Sequence, residues 1–322
     1  MRVFLAGATG VVGKPLVQQL LAAGHHVAAT TRSADKAERL RRLGVTAFVL
    51  DGLDGSALRE AVARAEPEAI IHQMTALSAK PDLRRFDAWF ARTNVLRTKG
   101  TDHLLAAALS LGVKRFIIQS YTGWNNARDG GRVKTEDDAL DPHPAACQRE
   151  TMAAIQYLES AVVGAPLTGI ALRYGNLYGP GASDDLVTLL RKRMLPIIGK
   201  GTGVWSWLHI EDAAAAAVAA LERGTPGVYN IVDDEPAPVS EWLPYLAEAV
   251  GAKPPMRVPV WLGRLAAGEV AAGWMTEGRG ASNEKAKREL HFRPNWPTWR
   301  EGFKHLQNSA RAATVSLMTA SR

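Results

Sequence analysis

A short apolar run leads into a glycine-rich turn near the start of the chain, and this turn constrains the fold more than any other feature. Val3-Phe4-Leu5-Ala6 is typical of a buried strand, and the amphipathic segment from Leu16 to Ala23 is typical of a helix. Glycines at this spacing between a strand and a helix allow a tight turn and let a pyrophosphate approach the helix N-terminus. The alternative is an ordinary glycine turn of a β-α-β unit without a ligand. The segment predicts a dinucleotide site with contacts from Gly7, Thr9, Gly10, Val11, Val12 and Gly13.

The end of the second apolar run indicates which dinucleotide binds. Chains specific for NAD place Asp or Glu there, about 20 residues after the glycines, to hold the ribose 2′-hydroxyl. Here the strand end reads Thr31-Arg32-Ser33, with Lys36 one turn later, and no acid lies at the strand end itself. A guanidinium suits a 2′-phosphate bidentately. We therefore predict NADP(H) rather than NAD(H), held at this end by Thr31, Arg32, Ser33 and Lys36.

Apolar runs and helical patterns alternate through the first half of the chain. The predicted strands are Arg2–Ala6, His26–Thr31, Thr46–Leu50, Ala69–Gln73, Arg115–Ser120 and Gly169–Arg173. The predicted helices are Lys14–Ala23, Lys36–Leu43, Gly55–Ala65, Thr93–Leu111 and Ala145–Ser160. This alternation is typical of right-handed β-α-β crossovers, so it predicts an α/β fold with a doubly wound parallel (Rossmann) sheet.

The pattern changes after Arg173, where turn residues and tryptophans become frequent. We predict a dinucleotide-binding domain over residues 1–173, to which residues 205–235 return with one more strand, Tyr229 to Val232. Residues 174–204 and 236–306 are predicted to form a small, mostly helical substrate-binding region. The small, polar tail 307–322 is expected to be flexible.

Composition excludes several classes of protein. The chain has 322 residues and a single cysteine, Cys147, which excludes a disulfide framework and a thiolate metal cluster. No His/Asp/Glu grouping has metal-ligand spacing, so no metal is expected. The formal charge is +7, but the basic residues are scattered among acids, so we expect no nucleic-acid partner. The apolar start is too short to span a membrane or to serve as a signal peptide, and we expect a cytoplasmic protein.

Further motifs resemble the extended short-chain dehydrogenase/reductase superfamily, in its NAD-dependent epimerase/dehydratase branch, and the resemblance covers roughly residues 1–306. They occur in the family's order: Gly7-x-x-Gly10-x-x-Gly13, Asp51, His72-Gln73-Met74-Thr75, Asn94-Val95 with Gly100-Thr101, Leu172 to Gly181, and Trp207 to Asp212. The resemblance implies a small-molecule substrate and a homodimer that pairs the helices Thr93–Leu111 and Ala145–Ser160. The further cofactor contacts that it implies are Asp51, Gly52, Gln73, Met74, Thr75, Asn94, Tyr174, Asn176 and Leu177.

The chain departs from this family at the catalytic helix. Family enzymes move a proton with a Tyr-x-x-x-Lys pair, in which the lysine lowers the pKa of the tyrosine. The alignment places Cys147 at the tyrosine and Thr151 at the lysine. A thiol without a neighbouring cation is mostly protonated near neutral pH, and threonine carries no charge. The catalytic centre is therefore predicted to be altered.

The end of the fifth predicted strand offers replacements. The family places its catalytic hydroxyl near Ser120 or Tyr121, so Tyr121 could supply a phenol while Ser120 or Thr122 orients a carbonyl. The alternative is that Tyr121 only lines the pocket; Tyr174 is a weaker candidate, and Cys147 lacks a partner base as a nucleophile. Apolar side chains beside turns often line ligand clefts, and an arginine there could meet an acidic group. The predicted substrate contacts are Trp124, Cys147, Trp205, Trp274, Met275 and Arg279.

Three functions are compatible with these residues. The first is an NADP(H)-dependent oxidoreductase that acts on a small or medium organic carbonyl or alcohol. The second closes a redox cycle within the site, as in a nucleotide-sugar epimerase or dehydratase. The third is a non-catalytic protein that binds NADP(H) and regulates another process.

Overall fold

The computed structural model describes residues 1–77 and 81–306, so the predicted tail 307–322 lies outside the described residues. The elements of the first half are β1 Arg2–Ala6, α1 Gly13–Ala22, β2 His26–Thr31, α2 Ala34–Arg42, β3 Thr46–Val49, α3 Gly55–Ala65, β4 Ala69–His72, α4 Phe86–Val95, a π-helical turn Leu96–Gly100, α5 Thr101–Ser110, β5 Arg115–Tyr121, β6 Val133–Lys134, a 3-10 turn Ala146–Gln148 and α6 Arg149–Val163. The second half contains β7 Thr168–Tyr174, β8 Asn176–Tyr178, α7 Asp184–Arg191, β9 Ile197–Ile198, β10 Val204–Trp205, β11 Trp207–His209, α8 Ile210–Arg223, β12 Gly227–Ile231, β13 Ala237–Pro238, α9 Val239–Ala249, β14 Arg257–Val258, α10 Val260–Glu277, β15 Gly280–Ala281 and α11 Glu284–Glu289.

Seven parallel strands form the central sheet in the order β3-β2-β1-β4-β5-β7-β12. The chain order reverses between β1 and β4, and in open α/β sheets ligands bind outside the carboxyl ends of the strands at such a point. Ala6 pairs with His72 there, so the glycine turn after β1 lies beside the segment after β4. The predicted doubly wound parallel sheet is confirmed.

Each sheet face is covered by helices because side chains alternate along the strands. In β1, Val3 and Leu5 belong to the apolar cluster that includes Leu16 and Leu20 of α1 and the alanines of α8. Phe4 and Ala6 belong to the opposite cluster, which α3, α5 and α6 complete. A third apolar cluster, built largely from residues after β7, holds Trp207, Trp242 and Phe303 and supports the smaller, mostly helical region.

The structure differs from the sequence-based prediction at the helix expected over Thr93–Leu111. It begins at Phe86, and the π-helical turn interrupts it before α5. Such a turn shifts the helical repeat, so apolar residues before and after it do not follow one continuous 3.6-residue period. The helix predicted from Ala145 also begins later, at Arg149, where the Asp87 carboxylate accepts the backbone N–H groups of Glu150 and Thr151.

Candidate functional site

Two adjoining cavities open at the carboxyl ends of the central strands. The larger has a volume of about 620 Å³ and the smaller about 200 Å³, and Thr9, Gly10, Arg32, Gln73 and Thr75 line both, so they form one elongated cleft. The predicted cofactor residues on its walls are Gly7, Thr9, Gly10, Val11, Val12, Gly13, Thr31, Arg32, Lys36, Asp51, Gly52, Gln73, Met74, Thr75, Tyr174, Asn176 and Leu177.

The glycine turn is built around backbone contacts that a side chain would prevent. Gly7 has a φ of +100°, and a Cβ there would lie 2.6 Å from the Gln73 carbonyl carbon. A Cβ at Gly13 would lie 2.2 Å from the Gly7 carbonyl oxygen. No side chain caps the N-terminus of α1, so the start of the helix is open to a ligand, although the N–H of Lys14 already donates to the Gly10 carbonyl. The turn and the elongated cleft beyond it fit a dinucleotide with its pyrophosphate on α1.

The smaller cavity is lined by basic side chains and by one acid, Asp51. Arg32 and Lys36 line it with exposed side chains, and neither forms an ion pair with another described residue. Asp51 accepts a hydrogen bond from the backbone N–H of Leu53 and one from Arg92 Nη2 at 2.6 Å. Ser33 lies outside both cavities, where its hydroxyl accepts the N–H of Lys36 at the start of α2.

His72 shapes the segment after β4 with its neutral ring. Its Nδ1 accepts the N–H of Met74 at 3.1 Å, and its Nε2 donates to the carbonyl of Leu96 at 3.2 Å. Burial lowers the pKa of His72 to about 4. The imidazole therefore holds the backbone that borders the cleft and takes no part in proton transfer near neutral pH.

We expect His72 to make the fold sensitive to acid. The unfolded side chain takes up a proton below pH 6.5, whereas the folded one stays neutral down to about pH 4. Stability from the neutral ring is therefore complete above pH 6.5 and is lost as the pH falls towards 4. The free energy of unfolding of the wild type, relative to His72→Gln, should fall by about 3 kcal/mol across this window. Urea titrations at several pH values measure it, with the exposed His26→Gln as a control; parallel pH profiles for wild type and His72→Gln would contradict the assignment.

Tyr121 brings its phenol to the wall of the larger cavity. Its hydroxyl donates to Asn176 Oδ1 at 2.7 Å, and its ring stacks on Trp124 with ring centroids 5.8 Å apart. Burial raises the pKa of Tyr121 well above its usual value. The side chain is therefore a neutral phenol at physiological pH, which can donate a proton but cannot act as a phenolate base.

The other two predicted catalytic hydroxyls lie outside the cavity. Side chains alternate along β5, so Gln119 and Tyr121 reach the cavity whereas Ser120 faces α6. The Ser120 hydroxyl is buried and donates to Glu159 Oε1 at 2.5 Å. Thr122 is buried as well, and its hydroxyl accepts a hydrogen bond from Asn126.

The helix that carries a catalytic pair in similar enzymes contributes nothing to the cavity wall here. None of the described residues 149–163 lines the larger cavity. The Thr151 hydroxyl donates to Asp87 at 2.6 Å and accepts from Asn94 Nδ2 at 3.0 Å, so the predicted cofactor residue Asn94 is engaged in the helix packing. Cys147 packs in an apolar cluster with Phe86 and lies outside both cavities.

Aromatic side chains line part of the larger cavity. The predicted substrate contacts Trp124, Trp205 and Trp274 are among them, and Trp205 Nε1 donates to the carbonyl of Trp274 at 2.9 Å. Two other predicted substrate contacts are elsewhere. Met275 is buried in the apolar cluster around Trp242, and Arg279 donates to the carbonyls of Arg128 and Glu277.

Several cavity residues were not predicted from the sequence: Lys14, Trp89, Phe90, Arg97, Gln119 and Trp207. Trp89, Phe90 and Arg97 belong to α4 and the π-helical turn. Alternation along β5 was the available signal for Gln119, because it shares a face with Tyr121. Trp89 and Phe90 were not considered as cavity residues because the helix was predicted to begin only at Thr93.

Neither a membrane-crossing helix nor a cluster of metal ligands occurs in the part of the chain that the structure describes. Within residues 1–77 and 81–306, no helix combines the length and apolar character needed to cross a bilayer. In the same ranges, no three His, Cys, Asp or Glu side chains are grouped as metal ligands would be.

Comparison with known proteins agrees with this geometry. Residues 3–232 match the model of the NAD dependent epimerase/dehydratase family. The chain is 43% identical over 313 residues to a 3-diazoavenalumate denitrifying reductase of Streptomyces sp., covering 94% of this chain and 99% of that protein. It is 28% identical to a 4-hydroxy-2-methyl-3-oxo-4-farnesyl-3,4-dihydroquinoline-1-oxide ketoreductase of Stigmatella aurantiaca, covering 79% and 74% of the two chains.

A solved structure resembles the fold along nearly its whole length. The UDP-glucose 4-epimerase of Thermus thermophilus, in complex with NAD, superposes with a TM-score of 0.71 at 25% identity, covering 94% of this chain and 97% of that one. The family match extends from β1 to the end of the central sheet and includes the glycine turn. The chain therefore belongs to the NAD dependent epimerase/dehydratase family of extended short-chain dehydrogenases/reductases, whose cofactor is a nicotinamide dinucleotide.

Proposed function

We propose that this protein is an NADP(H)-dependent reductase of a small or medium organic carbonyl compound. The observation that carries the proposal is the Tyr121 phenol on the wall of an aromatic cavity that continues into the dinucleotide cleft. The reductase and the ketoreductase among its relatives support this class of reaction.

Burial raises the pKa of Tyr121, so the side chain is a neutral phenol and a weaker acid than a free tyrosine. A bound NADPH would supply hydride, so the chain itself must supply the proton for the carbonyl oxygen. The Tyr121 hydroxyl is the candidate donor, and it would have to turn from Asn176 Oδ1 to the substrate oxygen, whereas oxidation of an alcohol needs a base. Cys147 and Thr151 stand where the family's tyrosine and lysine are expected, and their packing away from the cavity supports an altered centre built on Tyr121.

An absorbance assay tests the proposal directly. Purified protein with NADPH and a panel of aromatic ketones and aldehydes should lose nicotinamide absorbance in proportion to the alcohol formed. An epimerase or dehydratase would convert a nucleotide sugar with no net change in absorbance. A regulator would bind NADPH and turn over no substrate.

A second reaction is favoured by the 43% identical relative, whose name describes reductive loss of nitrogen from a diazo compound. When hydride replaces dinitrogen on a diazonium carbon, a C–H bond forms, the C–N bond breaks, and its electron pair leaves with N₂. This reaction consumes no proton donor, so it suits a site without a Tyr-x-x-x-Lys pair. The same assay with an aromatic diazonium compound would detect it as release of dinitrogen.

NADP(H) specificity is expected to depend on Arg32. Its guanidinium, which forms no ion pair with the described residues, borders both cavities, and Lys36 also lines the smaller one. A charge-assisted contact of this kind contributes about 1.5–3 kcal/mol, so Arg32→Ala should lower NADPH affinity by about 10- to 100-fold and leave NADH affinity nearly unchanged. Calorimetric titration with both cofactors measures this, and Arg39→Ala, on α2 but outside the cavities, is the control. Tighter binding of NADH than NADPH by the wild type would refute the preference.

The homodimer and the cytoplasmic location remain predictions. The two helices that the predicted dimer would pair are apolar on more than one face, but Leu104, Ala108, Met152, Ile155 and Leu158 on them are buried within the single chain. The exposed Leu109 and the half-buried Leu105 are left on α5 for a partner.

A further inference from the structure

Arg97 is a buried cation on the wall of the larger cavity. Its side chain is only 5% exposed, and it belongs to the π-helical turn Leu96–Gly100. Its guanidinium carbon lies 5.5 Å from the centre of the Phe90 ring, while Nη1 is buried and has no hydrogen-bond partner. Leaving a charged donor unpaired in the interior is costly unless a ligand completes its bonding.

The buried acid that attracts Arg97 is already engaged by another cation. Glu159 attracts Arg97 electrostatically, but its carboxylate forms a bidentate pair with Arg173 at 2.7 and 2.8 Å. Its Oε1 also accepts the Ser120 hydroxyl. Glu159 is thus engaged with Arg173, which Glu136 also attracts, whereas Arg97 forms no ion pair with any of the described residues.

The cavity wall does not balance this charge. Asp185 is the one acid among the described residues that line the larger cavity, whereas Lys14, Arg32 and Arg97 are cations. Lys14 and Arg32 belong to the segments around the dinucleotide cleft, while Arg97 lies beside Phe90 and Trp89. A ligand that fits this part of the cavity would combine an aromatic or apolar body with an anionic end.

We propose that Arg97 is an anion-binding subsite that receives the carboxylate of an aromatic substrate. A carboxylate offers two oxygens to the guanidinium fork, and the desolvated surroundings strengthen such a pair. This inference deepens the proposed reductase function and rests on it, because it assigns the substrate to the class of aromatic carboxylic acids. The Arg97 guanidinium would gain an anionic partner, and the aromatic rings would cover the body of the ligand.

A binding measurement that needs no turnover tests the subsite. Calorimetry on the NADPH-loaded protein would compare cinnamate with methyl cinnamate, a neutral molecule of nearly the same shape, and would repeat the comparison with benzoate and 4-phenylbutyrate. We expect the wild type to bind cinnamate at least about 10-fold more tightly than the ester, as one charge-assisted contact of about 1.5 kcal/mol implies. Arg97→Gln should abolish that preference, Arg97→Lys should retain part of it, and the exposed Arg85→Gln should keep all of it.

The outcomes separate this inference from the function on which it rests. Equal binding of acid and ester by the wild type, or no binding of any of the three carboxylates, would overturn the subsite even if the protein reduces neutral ketones. A loss of NADPH affinity in Arg97→Gln, with the preference for the acid unchanged, would assign the guanidinium to the cofactor instead. If Arg97→Gln does not fold, the Arg97→Lys protein decides, since a preference for the acid as large as that of the wild type would contradict the proposal. Absence of any reductase activity, with the carboxylate preference intact, would refute the reaction but not the subsite.

Discussion

Tyr121→Phe is expected to lower the turnover of carbonyl reduction by about 10²- to 10⁴-fold, the usual effect of losing a general acid. The hydroxyl is the phenolic donor held at the cavity wall by Asn176, and the ring remains stacked on Trp124 in the variant. NADPH affinity should stay within a few-fold of the wild type, because the substitution removes one oxygen and leaves the glycine turn intact. Steady-state kinetics with an aromatic ketone, together with calorimetry for NADPH, measure both quantities.

Cys147→Ala is the matched control for this prediction. Its thiol packs in an apolar cluster outside the cavity, so the variant should keep most of the activity. The reverse ranking of the two variants would mean that the alignment of the catalytic centre is wrong. A small effect of Tyr121→Phe on loss of dinitrogen from a diazonium compound, beside a large one on ketone reduction, would show that the two reactions differ in their need for a proton.

Glu159→Gln is expected to lower the free energy of unfolding by about 3–5 kcal/mol. Removing one partner from a buried ion pair leaves the other charge uncompensated, and here that charge is Arg173. Arg97 would lose the attraction of the same carboxylate, and Ser120 would lose a charged acceptor. Urea denaturation monitored by tryptophan fluorescence measures the change.

Glu150→Gln provides the comparison, because Glu150 lies on the same helix with an exposed side chain. It should change the free energy of unfolding by less than about 0.5 kcal/mol. A similarly small change for Glu159→Gln would show that the buried ion pair stabilises the fold little more than hydrogen bonds from the glutamine amide do.

The parts of the fold that follow from short-range chemistry were predicted well from the sequence. The bounds of β1, β2 and α3 agree residue for residue, because apolar runs that end in turn residues, and the Asp54 cap of α3, are local signals. The glycine turn after β1 is an equally local signal. The walls of the dinucleotide cleft follow from them, since they come from the residues just after each strand.

The rest depends on contacts between distant segments. Nothing around Ser120 indicates that its hydroxyl meets Glu159, 39 positions later. The start of α6 is capped by Asp87, which lies on α4. A capping pattern read within one segment of the sequence does not reveal a cap that comes from another helix. Arg97 was missed for the same reason: its neighbours Phe90, His72 and Glu159 meet only in the folded chain.

Because of the π-helical turn at Leu96–Gly100, the number of residues between α4 and α5 determines which side chains face the cavity. Each residue of an α-helix turns the chain by about 100°, so deleting one residue here would rotate everything before the turn against everything after it. If Leu104 and Ala108 stayed in the core, the deletion would turn Arg97 and Phe90 away from the cavity. If Arg97 and Phe90 stayed at the cavity, the deletion would instead pull Leu104 out of the core. Relatives that differ by a single-residue gap at this point are thus expected to differ in what they bind, even where every cavity residue is unchanged.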